Sequence, residues 1–195
     1  PATAGTSLDD IDSFTVDGVT TTKATDSAKV TAFINAAKKG GNIAVGSYSS
    51  AVGTANIASG SASSAVGYMN TASGTSSSAV GYNNNASGGS SSAVGYNNTA
   101  SGGVSSAVGS QNNASSSSSS AVGRLNQAKG HAANAFGIQN TVDHGVSGTN
   151  PFISDGLGRA TANAFGSVNN VTGAGATAVG LKNTASGVVS SAFGT

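Results

Sequence analysis

Catalysis at neutral pH needs a base or a nucleophile held by a partner, and this 195-residue chain offers few of either. It has no Cys, its acidic residues are all Asp, and its near-neutral bases are His131 and His144. Serine is abundant, but a serine nucleophile needs a positioned base and a group that orients that base. Here the serines recur at a fixed interval, which marks lattice geometry. Calcium-binding solenoid repeats place Asp in every turn, and residues 41–142 contain none. The sequence therefore predicts no catalytic residue, no cofactor and no metal site.

Binding classes narrow in the same way. A net charge of +1 leaves no basic footprint for nucleic acid. The absence of Cys excludes a disulfide framework. No apolar run approaches the ~20 residues of a transmembrane helix. The chain starts at Pro1 without Met and stops within a repeat at Thr195. It is thus expected to be an excised piece, with any signal or membrane anchor outside it.

The elements that position these residues announce themselves by period. Ala-Val/Phe-Gly recurs every fourteen residues at Ala51, Ala65, Ala79, Ala93, Ala107, Ala121 and Ala135, and again at Ala164, Ala178 and Ala192. Seven residues later stands Ala-Ser-Gly or a variant, at Ala58, Ala72, Ala86 and Ala100. Each unit thus reads as two short strands and two corners. Asn holds a fixed place five residues past the first Ala, from Asn56 to Asn183. There it is expected to turn a corner in left-handed backbone and to stack its amide on the next coil. Such a chain predicts an all-β class: a parallel β-roll of two-strand, fourteen-residue coils rising ~4.8 Å each.

Period-2 alternation divides the faces. Ala51 and Gly53 share one side, and Ser50 and Val52 the other. A roll with seven residues per half-coil has almost no interior, so the Ala side is predicted to form the core. Val52, Val66, Val80, Val94, Val108, Val122, Phe136, Phe165, Val179 and Phe193 then project outward as one apolar stripe. At ~1.5–3 kcal/mol per buried large apolar side chain, that stripe represents at most about 15–30 kcal/mol per chain. Apolar surface of that extent predicts self-association. Tyr68, Tyr82 and Tyr96 share one repeat position and are expected to stack as a ladder that supports the roll. With Tyr48 they are also the candidate exposed contacts.

Two stretches depart from the period. Residues 1–40 carry nine of the fifteen charged side chains and read as a small N-terminal module. In it a strand within 10–19 ends at an Asp17-Gly18 turn, and a helix runs from Asp26 or Ser27 to Lys39. Residues 41–195 form the roll. Between Ala135 and Ala164 lie fifteen extra residues, read as an insertion at about 143–160. Pro151, Phe152, Ile153 and Arg159 are its candidate ligand contacts.

The unit Ser91-Ser92-Ala93-Val94-Gly95, followed by Ala100-Ser101-Gly102 and repeated about ten times over residues 41–195, resembles the head repeat of YadA-like trimeric autotransporter adhesins. That resemblance implies a left-handed parallel β-roll, a homotrimer about a common axis, and display on the bacterial outer membrane by type V secretion. It implies adhesion to a host matrix or cell-surface ligand, or autoagglutination, with no enzymatic activity. The sequence departs from the family where a branched apolar residue commonly precedes the Ala. Here Ser stands at 50, 64, 78, 92, 106 and 120, which predicts a wetter axis. A trimeric phage tail fibre would meet the same mechanical demands.

Overall fold

The computed structural model describes residues 13–16, 19–22, 40–143 and 161–195. The chain begins with an antiparallel hairpin of β1 (Ser13–Val16) and β2 (Val19–Thr22). From β3 (Ile43–Ala44) and β4 (Ser50–Thr54) onward, two-residue and five-residue strands alternate to the last strand, Ser191–Gly194. The five-residue strands and the four-residue last strand stack into a ten-stranded parallel sheet. The two-residue strands stack opposite them and, with the hairpin, make a sheet of twelve strands. β1 pairs antiparallel with β3 through Thr15 and Ala44, so the hairpin closes the N-terminal edge of the short-strand sheet. The helix expected within 26–39 lies outside the described residues.

Register is held without a slip, Ala on Ala and Gly on Gly, along the whole long-strand sheet. A one-residue slip would exchange the two faces, so burial of one face fixes the register. The predicted faces are the observed ones. Ala65, Ala79, Ala93 and their equivalents are fully buried, facing Ala72, Ala86 and Ala100 of the short strands. Glycine is required between them: Gly95 has φ +120°, and a Cβ there would lie 2.1 Å from the Gly109 carbonyl oxygen of the next coil. Side chains cannot enter so close a backbone approach.

The expected role of Asn at the corners is corrected. The left-handed corner residue is the one before each Asn: Ala55, Met69, Asn83, Asn97, Gln111, Leu125, Gln139, Val168 and Lys182. The second corner puts such residues as Tyr48, Ser90, Val104 and Val189 in the same conformation. These are costly choices locally, about 1–2 kcal/mol each for residues with a Cβ. The preceding coil offsets that cost, since from Ala62 onward each of these corner amides donates to a carbonyl one coil back, as Met69 does to Thr54 and Leu125 to Ser110. The ladder Asn residues are instead part of the core. Asn70 donates through Nδ2 to Asn56 Oδ1 at 2.9 Å, and Asn84 to Asn70 in turn. The expected stacking of amides is therefore present, and its first rung is Asn42, fourteen residues before Asn56.

A second buried column is less well served. The hydroxyls of Ser63, Ser77, Ser91 and Ser105 are buried without a hydrogen-bond partner, whereas Ser119 turns to donate to the Ser116 carbonyl at 2.6 Å. Ala occupies the same position at 133, 162 and 176, in the region where Val142 and Val171 replace Ala in the short-strand column. An unpartnered buried hydroxyl costs ~1–3 kcal/mol. Ser91→Ala is therefore expected to raise stability by about 1 kcal/mol, read as a higher denaturant midpoint with an unchanged slope. A lower midpoint would show that the hydroxyl is bonded.

The insertion leaves both sheets in phase. Val142 pairs with Val171, Asn134 with Asn163, and Phe136 with Phe165, each 29 residues apart. Asn140 and Asn169 continue the amide ladder across the gap at 2.9 Å. The roll described up to Asp143 therefore resumes at Thr161 in the same register.

Candidate functional site

The surface that can bind anything is set by which side chains the long strands turn outward. Within Ser64–Tyr68 the outward residues are Ser64, Val66 and Tyr68, and every coil repeats that choice. Three columns therefore run along the roll, and the middle one is the apolar stripe. Val52 is 56% exposed and Phe193 70% exposed at its two ends, with the intervening Val and Phe residues half-buried or exposed by their neighbours. Phe136 and Phe165 stack with ring centroids 5.3 Å apart. In the third column Ile138 and Leu181 are also exposed, which widens the apolar face beyond the stripe read from sequence. The signal was available, since each lies two residues after a stripe residue.

The tyrosines in that third column stack as expected. Tyr68 and Tyr82, and Tyr82 and Tyr96, have ring centroids 5.3 Å apart. Each remains about half exposed at its edge, so the ladder both braces the roll and faces solvent. Beside it the corner amides of Asn83 and Asn97 bond to one another at 3.0 Å. Tyr48 belongs to a different place, a left-handed corner where it is almost wholly exposed. From residue 40 to 123 the chain carries no Asp, Glu, Lys, Arg or His. Contacts with this stretch rest on hydroxyls, amides and apolar surface.

The arrangement holds little that could react. Among the described residues no group of three His, Cys, Asp or Glu side chains could hold a metal ion. His131 is half-buried on a turn before the insertion, with no second titratable base beside it in the repeat register. His144, Pro151, Phe152, Ile153 and Arg159 lie outside the described residues.

Comparison with known proteins agrees with this geometry. The family model for the YadA head domain repeat, two copies long, matches residues 44–68, 58–84, 72–98 and 86–103. Each match spans successive coils of the roll, and the same coil geometry continues past residue 103 to the last strand. No curated protein sequence matches the chain significantly. YadA head repeats over residues 44–103, stacked with the later coils in one parallel β-solenoid of fourteen-residue turns, support a YadA-like head of the trimeric autotransporter adhesin type.

Proposed function

We propose that this roll is the adhesive head of a surface-displayed homotrimer. In this reading three copies pack through the Val/Phe stripe, and their remaining outward surface binds a host matrix or cell-surface ligand or a sister bacterium. The observation that carries the reading is the stripe itself. Ten in-register coils present Val or Phe at the same outward position, on a roll whose core is filled by Ala, Ser and Asn with only Val142 and Val171 as larger apolar residues among those described. A solitary chain would leave that line wet, and apolar patches of this kind mark association surfaces. The likeness of residues 44–103 to YadA head repeats supports both the trimer and adhesion, since heads of that kind are trimeric and adhesive.

Adhesion through such a head works by repetition. Weak contacts on three chains and many coils multiply into avidity without a deep pocket. Anchorage in the outer membrane, type V secretion and a role in virulence or haemagglutination follow from the same reading. Pro151, Phe152, Ile153 and Arg159 on the insertion are proposed as ligand contacts, because they interrupt a surface that is otherwise the same in every coil. Two measurements test the proposal together. Sedimentation equilibrium is expected to give three times the chain mass. Beads coated with the protein are expected to attach to immobilised matrix or cultured cells, or to clump, where uncoated beads do not. A monomer, or beads that neither attach nor clump, would overturn it.

A further inference from the structure

The tyrosine ladder ends in a notch, and the residues around it have the chemistry of a sugar site. Tyr96 pairs in register with Ser110, and Ser110 with Arg124. The stack of rings therefore stops at Tyr96, the most exposed of the three at 51%. The next rung carries only a hydroxymethyl group, and the rung after it an exposed guanidinium. With coils rising ~4.8 Å, Tyr96 and Arg124 stand about 10 Å apart, which leaves the width of one ring above Ser110. Asn97 and Gln111, both exposed and held in left-handed corners beside these rungs, bring amides to the rim. Arg124 also ends the uncharged stretch of the roll, and the described residues supply it with no carboxylate partner.

We propose that the notch between Tyr96 and Arg124 binds the terminal carboxylate-bearing pyranose of a glycan. The C–H face of the sugar stacks on the free face of Tyr96, in the place a fourth ring of the ladder would occupy. The Arg124 guanidinium takes the carboxylate, for which its planar fork is suited. The hydroxyl of Ser110 and the amides of Asn97 and Gln111 meet the sugar hydroxyls. Stacking on Tyr82 already orders the Tyr96 ring, so binding immobilises little that was free. The single full charge at the site favours an acidic sugar over a neutral one. The notch is closed along the column on both sides, which favours a terminal ring over one inside a chain. One such notch per chain gives a trimer three, and avidity does the rest.

This inference rests on the adhesive reading and gives it a ligand class. Saturation-transfer NMR on the intact protein with sialyllactose, and with lactose as its neutral counterpart, tests it. Sialyllactose is expected to bind with its acidic ring closest to the protein, and lactose at least tenfold more weakly. Arg124→Gln and Tyr96→Ala are each expected to weaken sialyllactose binding about tenfold or more. Ser110→Tyr fills the notch with a fourth ladder ring, and is expected to abolish binding while keeping the thermal midpoint at or above that of the parent chain. Equal binding of both sugars, or undiminished binding by Ser110→Tyr, would overturn the proposal. If sialyllactose fails while coated beads still attach to matrix or cells, the notch is refuted and the adhesive reading stands. Beads that attach to nothing refute the adhesive reading itself.

Discussion

A chain carrying Val94→Asp and Val108→Asp is expected to lose its trimer. The two positions are adjacent rungs of the outward stripe, paired in register on neighbouring strands. In a trimer closed on that stripe, the pair of substitutions brings six carboxylates to the axis, against at most three nearby guanidiniums, those of Arg124 on the strand after Val108. Each unpaired charge taken out of water costs several kcal/mol, and like charges on adjacent rungs add repulsion. The penalty falls on the contacts that join the subunits, and the same substitutions remove two of the ten stripe residues that would be buried there. Sedimentation at micromolar concentration is expected to show monomers or aggregates in place of trimers. Thr99→Asp is the matched control: it also faces outward from the same stretch, but on the opposite, short-strand sheet. That variant is expected to sediment as the parent does. Should the double variant remain trimeric with an unchanged melting temperature, the stripe does not join the subunits and the binding surface has to be reassigned to it.

The faces were legible because they depend only on alternation. Once Ala93 is inside, Val94 is outside and Tyr96 two residues on is outside with it, whatever the neighbours are. The corners were harder to read. Intrinsic preference assigns left-handed backbone to Gly or Asn, and that preference pointed to the Asn five residues past each Ala. The chain places Met69, Leu125 and Val168 there instead. Its reason is not local. Each of these residues gives its N–H to a carbonyl one coil away, so a partner fourteen or more residues distant overrides propensity. The rung at Asn42 and the Tyr96–Arg124 notch were missed for a related reason. Both are properties of a column read along the roll axis, and a repeat searched for along the chain shows what recurs, whereas the notch is where a column changes identity. The insertion contacts at 151–153 and 159 are the opposite case, individual in sequence and outside the described structure.

The other large effect belongs to the amide ladder. Asn98 Nδ2 donates to Asn84 Oδ1 at 2.9 Å, to the Val94 carbonyl at 3.0 Å and to the Gly109 carbonyl at 2.8 Å. Its Oδ1 accepts from the backbone N–H and the Nδ2 of Asn112, both at 3.0 Å. One side chain therefore satisfies polar groups on three coils, those of the neighbouring Asn84 and Asn112 buried and the two carbonyls part-buried. Asn98→Ala removes the donor and the acceptor together and leaves those groups orphaned at ~1–3 kcal/mol each, with a small cavity besides. A loss of about 4 kcal/mol or more is expected in the denaturation free energy, with amide exchange accelerated first at Asn112. Asn98→Asp separates the chemistry from the packing. It keeps the volume and the acceptor, but sets a carboxylate oxygen against the Asn84 Oδ1 and two carbonyls where a donor stood, so a loss at least as large is expected. Asn183→Ala, at the half-buried last rung, is expected to cost less than half as much, because Asn183 Oδ1 accepts from no further Asn among the described residues. Equal losses at Asn98 and Asn183 would mean that each amide acts only within its own coil. A graded loss, largest at the centre, is what a ladder that couples coil to coil requires, and that coupling is what lets a chain so poor in large apolar core residues hold ten coils in one register.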